Sequence, residues 1–159
     1  MGDARWLSAE QQSVWRNYIA ATRMVDSEIE RQLQRDSGLP TTYYEIMVSL
    51  SEAPDRTLRM SELADRSRFS RSRLSHAVAR MEQQGWVARR ECPSDKRGAF
   101  AVLTEKGFEA LATAAPGHVE QVRSLLFDVL TEEQIAQLGE ICATVRKEGP
   151  DPFGPGWTG

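Results

Sequence analysis

Residues 59–103, RMSELADRSRFSRSRLSHAVARMEQQGWVARRECPSDKRGAFAVL, contain the pattern that decides the fold. Apolar residues recur in it at steps of three and four, which predicts an α-helix with one buried face. They are Leu74, Ala77, Val78 and Met81. Ser70 can cap the start of this helix, and Gly85 suits the left-handed residue after its end. A shorter helix around Leu63 precedes it, so the stretch predicts a helix-turn-helix.

The opposite face of the second helix is polar and cationic. It carries Ser70, Arg71, Ser72, Arg73, Ser75, His76 and Arg80. A helix of this kind can enter the major groove of DNA, where an arginine reads a guanine edge. Arg71 or Arg73 could be that reader, while Arg71 and Arg80 are equally suited to phosphate. The alternative is an ordinary solvated surface helix.

A charged hairpin follows the two helices. Val87 begins one strand, residues 99–103 form a second apolar run, and residues 93–98 are rich in turn formers. Lys96 and Arg97 at this tip are predicted to contact DNA, since basic groups there can reach a groove or a phosphate. Asp95 is predicted to hold the turn or orient Arg97, because phosphate would repel its carboxylate.

Charge is distributed unevenly along the chain. Residues 56–97 contain eleven Arg and Lys against five Asp and Glu, a net charge of +6. The other nine cations and eighteen anions leave −9 elsewhere, so the whole chain has a formal charge of only −3. A basic module within an acidic body is typical of a DNA-binding protein with a separate assembly region. An acidic second helix would instead have favoured a protein–protein module.

Two segments resemble the MarR (multiple antibiotic resistance regulator) family. GWVARRECPSDKRGAFAVLTEKG resembles its wing, including the Asp-x-Arg signature at Asp95 and Arg97, and SELADRSRFSRSRLSHAVARMEQQGWV resembles its recognition unit. The resemblance extends from about residue 7 to residue 147. It implies a dimeric winged helix-turn-helix regulator of transcription. In the family an arginine matching Arg89 also follows the recognition helix, and it serves either DNA contact or a salt bridge within the domain.

The remaining chain is predicted to be helical, so the fold class is mainly α with a small β-hairpin wing. Capping boxes begin at Ser8, Thr42 and Thr131, and Thr104 caps a further helix that Pro116 should kink or split. Four parts are expected. They are an N-terminal dimerisation helix (8–36), the winged helix-turn-helix DNA-binding domain (40–103), C-terminal dimerisation helices (104–147) and a disordered tail (148–159).

The terminal helices carry more apolar surface than a small winged helix can cover. A second copy could bury these faces, which predicts a homodimer. Two-fold symmetry would place two recognition helices about one DNA turn apart. The expected partner is therefore double-stranded DNA with a near-palindromic operator.

Aromatic residues suggest a ligand pocket. Family members often bind small aromatic or anionic effectors between the dimer region and the DNA-binding lobe, and this resemblance suggests Trp15, Tyr18, Tyr43 and Tyr44 as pocket residues. The alternative interpretation is that these rings pack in the core or the dimer interface, which their helical spacing favours.

Other functional classes find little support. His76 and His118 have no ligand-like spacing and no phosphate-binding glycine motif is present, so we expect neither catalysis, nor a metal, nor a cofactor. Cys142 lies on an apolar helical face and Cys92 in the hairpin, so neither is expected to sense oxidants. No stretch resembles a signal peptide or membrane span, which predicts a cytoplasmic protein without a membrane partner.

The sequence therefore predicts a dimeric repressor that a small molecule releases from DNA. Two alternatives stay open: a DNA-binding regulator without a ligand, controlled by its own abundance, and a cysteine-based redox sensor.

Overall fold

The computed structural model describes residues 4–67, 69–92 and 95–148. Within them the chain is mainly helical with a three-stranded antiparallel sheet, which confirms the predicted fold class. The helices are α1 (Ala9–Ser37), α2 (Thr41–Ser51), α3 (Met60–Ser67), α4 (Arg71–Gln83), α5 (Glu105–Val122) and α6 (Glu132–Glu148). The strands are β1 (Thr57–Arg59), β2 (Val87–Cys92) and β3 (Asp95–Leu103), in the order β1-β3-β2. Residue 148 of the predicted tail (148–159) ends α6, and residues 149–159 lie outside the described residues.

Helix α1 begins and ends as its sequence predicts. Ser8 and Gln11 form the predicted capping box, with Gln11 N donating to Ser8 Oγ at 3.2 Å and Ser8 N donating to Gln11 Oε1 at 2.9 Å. Gly38 closes the helix in the left-handed conformation (φ 66°), which glycine adopts without steric cost. The 29-residue helix is about 43 Å long, and the rest of the winged helix packs against its C-terminal half.

The capping box predicted at Thr42 is wrong. Helix α2 starts one residue earlier, at Thr41, and Pro40 at its N-cap makes no side-chain cap. A tertiary contact takes over this role, because Thr41 N donates to the Glu30 carboxylate of α1 at 2.9 Å. Hydrogen bonding with Thr41, through its side chain first and its backbone N–H as well, lowers the pKa of Glu30 and keeps an anion at the positive end of α2.

The helix-turn-helix and the sheet share one apolar core. Leu63, Leu74, Val78 and Met81 are buried, as the helical spacing predicts. β1 pairs antiparallel with β3, with Leu58 opposite Ala101, and both residues belong to the same core. Leu33 of α1 and Ile46, Met47 and Leu50 of α2 complete it at 0% exposure. α1 therefore packs against the helix-turn-helix and sheet through its C-terminal half.

The hairpin is longer than predicted. Cys92 pairs with Asp95, so β3 includes most of the expected turn segment 93–98. Backbone pairing overrides the turn preference of Asp95 and Gly98, because β-propensity depends strongly on neighbouring strands. A register shift between Glu91 and Cys92 accommodates the change.

Helix α5 meets the wing at very close range. Thr104 caps it, accepting from Gly107 N at 3.0 Å, and donates its hydroxyl to Gly85 O at 2.6 Å. A Cβ on Gly107 would lie 2.1 Å from the carbonyl oxygen of Trp86, so glycine alone allows this approach. The packing fixes the start of α5 on the first strand of the hairpin.

The prediction that Pro116 splits α5 is wrong, whereas the alternative of a kink stays a prediction. The helix runs through it to Val122, and the irregularity comes later, as a π-helical turn at Arg123–Phe127. A Cβ on the neighbouring Gly117 would lie 3.0 Å from Gln32 Nε2 of α1, so the two helices are in close contact at this point.

The terminal helices leave large apolar side chains exposed. They are Trp6, Leu7, Val14, Trp15, Tyr18, Met24, Val119, Phe127, Val129, Ile141 and Val145. All of these residues lie at or beyond the ends of the winged helix, on α1, α5, α6 and their flanking segments. Within the described residues, no helix is both long enough and apolar enough to cross a membrane.

Candidate nucleic-acid interface

Helix α4 presents a continuous polar row to solvent. At 100° per residue, Ser72 and His76 lie opposite the buried face and Arg73 and Arg80 lie on one flank of it, and all four are exposed. Arg71 and Ser75 lie on the flank of this row that faces the hairpin. The predicted residues Ser70–Ser72 are exposed as well, so the structure brings the predicted recognition-helix residues to one surface.

The first turn of α4 is rigidly held. Ser70 Oγ accepts from Arg73 N at 3.2 Å, so this hydroxyl serves as the helix cap, as predicted. The Arg73 guanidinium lies 4.6 Å from the centre of the Phe69 ring. Stacking on a ring uses the face of the guanidinium and leaves its in-plane N–H donors free. Arg73 is thus an exposed arginine whose guanidinium is restrained by contact with a ring.

The cations of the basic module fall into two groups. Arg56 pairs with Glu105 at 3.1 Å and Arg66 with Glu62 at 2.9 Å, so both serve the domain itself. The second group consists of four exposed arginines, Arg71, Arg73, Arg80 and Arg90. None of them forms an ion pair with a carboxylate whose side chain the structure describes. The unpaired positive charge is therefore concentrated on α4 and the adjoining strand.

Arg89 joins the hairpin to the recognition helix. Its Nη2 donates to Ser75 O at 2.6 Å, and its Nε lies 3.1 Å from Glu82 Oε2. Its backbone N–H donates to Glu82 Oε1 at 2.9 Å. Of the two roles that the sequence left open for Arg89, the described contacts are those of a salt bridge within the domain. The side chain is still 34% exposed.

Replacing Arg89 by Ala should lower the unfolding free energy by about 1 kcal/mol, because a charged hydrogen bond to a partly exposed carbonyl is lost. Chemical denaturation monitored by circular dichroism measures this change. Arg90→Ala is the matched control, since Arg90 is the next residue of the same strand and should leave stability unchanged. Unchanged stability in Arg89→Ala would contradict the bridging role.

The wing residues Asp95, Lys96 and Arg97 lie in β3, but their side chains fall outside the described part of the molecule. Their backbone position places them at the tip of the hairpin, opposite Cys92. Contact of Lys96 and Arg97 with DNA, and the orienting role of Asp95, therefore stay predictions.

The four aromatic residues suggested for a ligand pocket are distributed over separate places. Trp15 and Tyr18 stack on each other at 6.0 Å on α1 and are 54% and 57% exposed. Tyr43 packs edge-on against Trp86, and Tyr44 is buried 4.5 Å from the ring of His118. Trp15 precedes the buried C-terminal part of α1 by roughly 27 Å of helix, so one chain does not bring the two pairs together.

His118 is the half-buried histidine of α5, in contact with Tyr44 of α2. Its Nδ1 is buried without a hydrogen-bond partner among the described residues. Burial lowers the pKa of His118, because the charged imidazolium loses hydration. The folded protein therefore holds a neutral imidazole between the two helices.

Protein stability should consequently fall as the pH drops below about 6.5, the ordinary histidine pKa, because the unfolded chain binds this proton more readily. The loss should level off once the pH passes below the lowered folded-state pKa. Melting temperatures measured between about pH 7.5 and 5.5 test this. His118→Gln should flatten the slope, whereas His76→Gln on the exposed face of α4 should retain it. Equal slopes in wild type and His118→Gln would refute this origin.

Other chemistries are not assembled here. Among the described residues, no group of three or more His, Cys, Asp or Glu side chains could hold a metal ion. Cys142 is exposed, because the apolar face of α6 that carries it is not covered by the described chain. The side chain of Cys92 lies outside the described residues.

Two functional contacts were not anticipated from the sequence. Phe69 was not recognised as the ring beneath Arg73, although the two residues are four positions apart at a helix start. Glu82 was not recognised as the partner of Arg89, because a helix and a strand contribute one residue each. Only the first of these had a local signal.

Comparison with known proteins identifies relatives of this chain. Residues 37–98 match the model of the MarR family. One similar structure is that of Sco3205 of Streptomyces coelicolor, a MarR family transcriptional regulator solved in complex with DNA. Its sequence is 52% identical to this chain, the match covers 96% of this chain and 99% of Sco3205, and the TM-score is 0.88. AbsC of the same organism, also a MarR family regulator, is 40% identical over 91% of this chain and all of its own, with a TM-score of 0.83.

A repressor is also among the relatives. The HTH-type transcriptional repressor YetL of Bacillus subtilis is 28% identical over 107 residues, which cover 65% of this chain and 64% of YetL. The similarity to Sco3205 extends over nearly the full length of both chains, so it includes the terminal helices as well as the winged helix.

Proposed function

The chain belongs to the MarR family of transcriptional regulators, and on this basis we propose that it is a homodimeric repressor of a near-palindromic operator, released by a small molecule. It is a DNA-binding transcriptional regulator and not an enzyme. The observation that carries the proposal is the exposed row Ser72, Arg73, His76 and Arg80 on α4. A helix with such a row, capped and rigid at its N-terminus, is suited to the major groove.

The exposed apolar surface supports the dimer. Val14 on α1 and Ile141 and Val145 on α6 are 60–68% exposed. Apolar patches of this kind on a small domain indicate an interface, and the simplest closed one is two-fold. Two copies related in this way would present their α4 helices to successive turns of one face of the DNA, which requires a near-palindrome.

Repression is supported by the similarity to YetL, which is a repressor. Release by a ligand is supported instead by the positions of two helices. α1 and α5 connect the expected dimer region to the DNA-binding lobe. A ligand between these helices could change the spacing of the two α4 helices if it binds one spacing more tightly than another.

Selection of preferred duplexes from a random pool tests the DNA part of the proposal. A two-fold product with half-sites about 10 base pairs apart is expected. A single, asymmetric half-site would contradict the dimer. Release of the selected duplex by added small molecules, against its retention in buffer, then separates the ligand-responsive repressor from a regulator controlled only by its abundance.

Arg97→Ala should weaken binding to all duplexes and reduce the salt dependence by about one unit, as loss of one phosphate contact does. Electrophoretic mobility shifts between about 50 and 200 mM salt measure this slope. Arg31→Ala on α1 is the control for removal of one arginine. An unchanged slope in Arg97→Ala would place the wing tip away from DNA.

A further inference from the structure

Helix α4 contains one acidic residue, Glu82, beside its three arginines. An anion weakens the attraction of a DNA-binding helix to phosphate. Glu82 also lies in the last turn of α4, where the negative end of the helix dipole disfavours a carboxylate. Both effects oppose an anion at this position, so the contacts of Glu82 must supply a compensating advantage.

Both oxygens of the Glu82 carboxylate contact the same residue of the hairpin. Oε1 accepts a hydrogen bond from the backbone N–H of Arg89 at 2.9 Å, and Oε2 lies 3.1 Å from Arg89 Nε. The Glu82 and Arg89 side chains are 33% and 34% exposed, so water screens this ion pair only in part. The carboxylate therefore attaches strand β2 to α4 through the backbone and the side chain of Arg89 together.

The guanidinium of Arg89 extends the attachment along α4. Its Nη2 donates to Ser75 O at 2.6 Å and to Ser75 Oγ at 3.4 Å. Ser75 lies two helical turns before Glu82 on the same face of α4, about 10.5 Å away along the helix axis. The backbone bond and the guanidinium bonds act at opposite ends of the Arg89 side chain. They therefore restrain the direction of β2 relative to α4 as well as its distance.

The covalent connection between α4 and β2 leaves this direction less restricted. It is a short turn around Gly85, whose backbone has wide conformational freedom and here adopts φ 75°. Val87 then anchors the start of β2 in the apolar core. Among the described residues, the hydrogen bonds that join β2 itself to α4 are those of Arg89. Arg89 is thus the next point of attachment towards the tip of the hairpin.

We infer that Glu82 and Arg89 are positioning residues for DNA binding, which hold the hairpin at the angle to α4 at which both elements reach the duplex. Neither residue has to touch DNA in this role. Two linked contacts bind more tightly when they are already held in the binding geometry, because less conformational freedom is lost on binding. The role in DNA binding rests on the proposed function, whereas the attachment of the hairpin to α4 does not.

Glu82→Gln distinguishes positioning from simple electrostatics by the direction of its effect. Removing an anion beside DNA strengthens binding if only charge matters. The glutamine keeps the size of the side chain, but its NH2 group faces Arg89, which offers only donors there. We therefore expect Glu82→Gln to bind the selected duplex at least ~5-fold more weakly than wild type, because the preorganised angle is lost.

Glu91→Gln is the matched control, since Glu91 is an exposed carboxylate of the same strand. It removes the same charge and should bind as tightly as wild type or more tightly. In mobility shifts between about 50 and 200 mM salt, Glu82→Gln should also show a salt dependence reduced by about one unit, as loss of a hairpin contact to phosphate does. Binding of Glu82→Gln that equals or exceeds that of wild type would overturn the positioning role.

A double-mutant cycle tests whether the two residues act as a unit. Glu82→Gln and Arg89→Gln break the same attachment, so the double variant should bind no more than ~2-fold more weakly than the weaker single variant. Losses that multiply would show that Arg89 acts independently of Glu82, as in a direct phosphate contact, and would overturn the shared role. Circular dichroism at the assay temperature checks that each variant is folded.

Hydrogen exchange of the free protein tests the attachment without DNA. The Arg89 amide, which donates to Glu82, should exchange faster in Glu82→Gln than in wild type or Glu91→Gln. The amides of Leu74 and Val78 in α4 should stay protected. Unchanged exchange at Arg89 would overturn the attachment itself. If wild type selects no duplex, the proposed function fails, and the exchange result still decides whether Glu82 holds the hairpin.

Discussion

Arg73→Ala is expected to weaken specific DNA binding by ~1–3 kcal/mol and to relax the base preference at one position of each half-site. Arg73 lies in the exposed row of α4, in the first turn of the helix, where side chains of recognition helices reach base edges. Its stacking on Phe69 restricts the guanidinium before DNA arrives. Less conformational entropy is then lost on binding, and the in-plane donors suit the two acceptors of guanine.

Quantitative binding to a library of single-base variants of the selected operator measures both effects. Arg23→Ala on α1 removes the same charge from an exposed site away from α4 and should change neither affinity nor preference. Phe69→Leu should give a smaller loss of affinity at the same base pair, since Arg73 is retained but the ring that restrains its guanidinium is removed. A uniform loss across all library members in Arg73→Ala would make this residue a phosphate anchor and transfer the reading role to another member of the row.

Ile141→Asp combined with Val145→Asp should convert the proposed dimer to a monomer and reduce operator affinity by on the order of 100-fold or more. These side chains are 60% and 67% exposed on one face of α6, so the folded monomer loses little packing on substitution. In a dimer interface, however, four buried carboxylates would be strongly unfavourable. The affinity falls because a monomer can hold only one half-site, without the effective concentration that a second site provides.

Sedimentation at micromolar concentration measures the assembly state, and the mobility shift measures the affinity. Ala136→Asp combined with Ala143→Asp adds the same charge to the opposite face of α6 and should leave both unchanged. A monomeric wild type at this concentration, or a dimeric Ile141→Asp, Val145→Asp variant, would exclude these helices from the interface.

Local patterns predicted most of the elements because their causes are local. Ser8, Thr104 and Thr131 cap helices in the way that their spacing to the next polar residues indicates. The apolar stripe around Leu74 is buried where its period places it. The polar row of α4 follows from the same period, so the proposed recognition surface could be predicted from the sequence.

Predictions failed where a distant residue decides the outcome. α2 starts at Thr41 because Glu30 of another helix caps it. α5 continues through Pro116 at a point where the neighbouring Gly117 lies close to Gln32 of α1. The hairpin tip is short because Cys92 and Asp95 pair across it. A single-segment pattern contains none of these contacts.

The sequence by itself determined that this chain has a winged helix with a basic segment, amphipathic terminal helices and a wing that resembles the MarR family. It did so because helical periodicity, helix caps and local charge depend on residues that are close together in the chain. Only the tertiary structure decided which arginines remain available. It commits Arg56 to Glu105 and Arg89 to Glu82, and it stacks Arg73 on Phe69. It also buried the Gln32 side chain of α1 close to Gly117 of α5, since burial and hydrogen-bond partners exist only once helices pack.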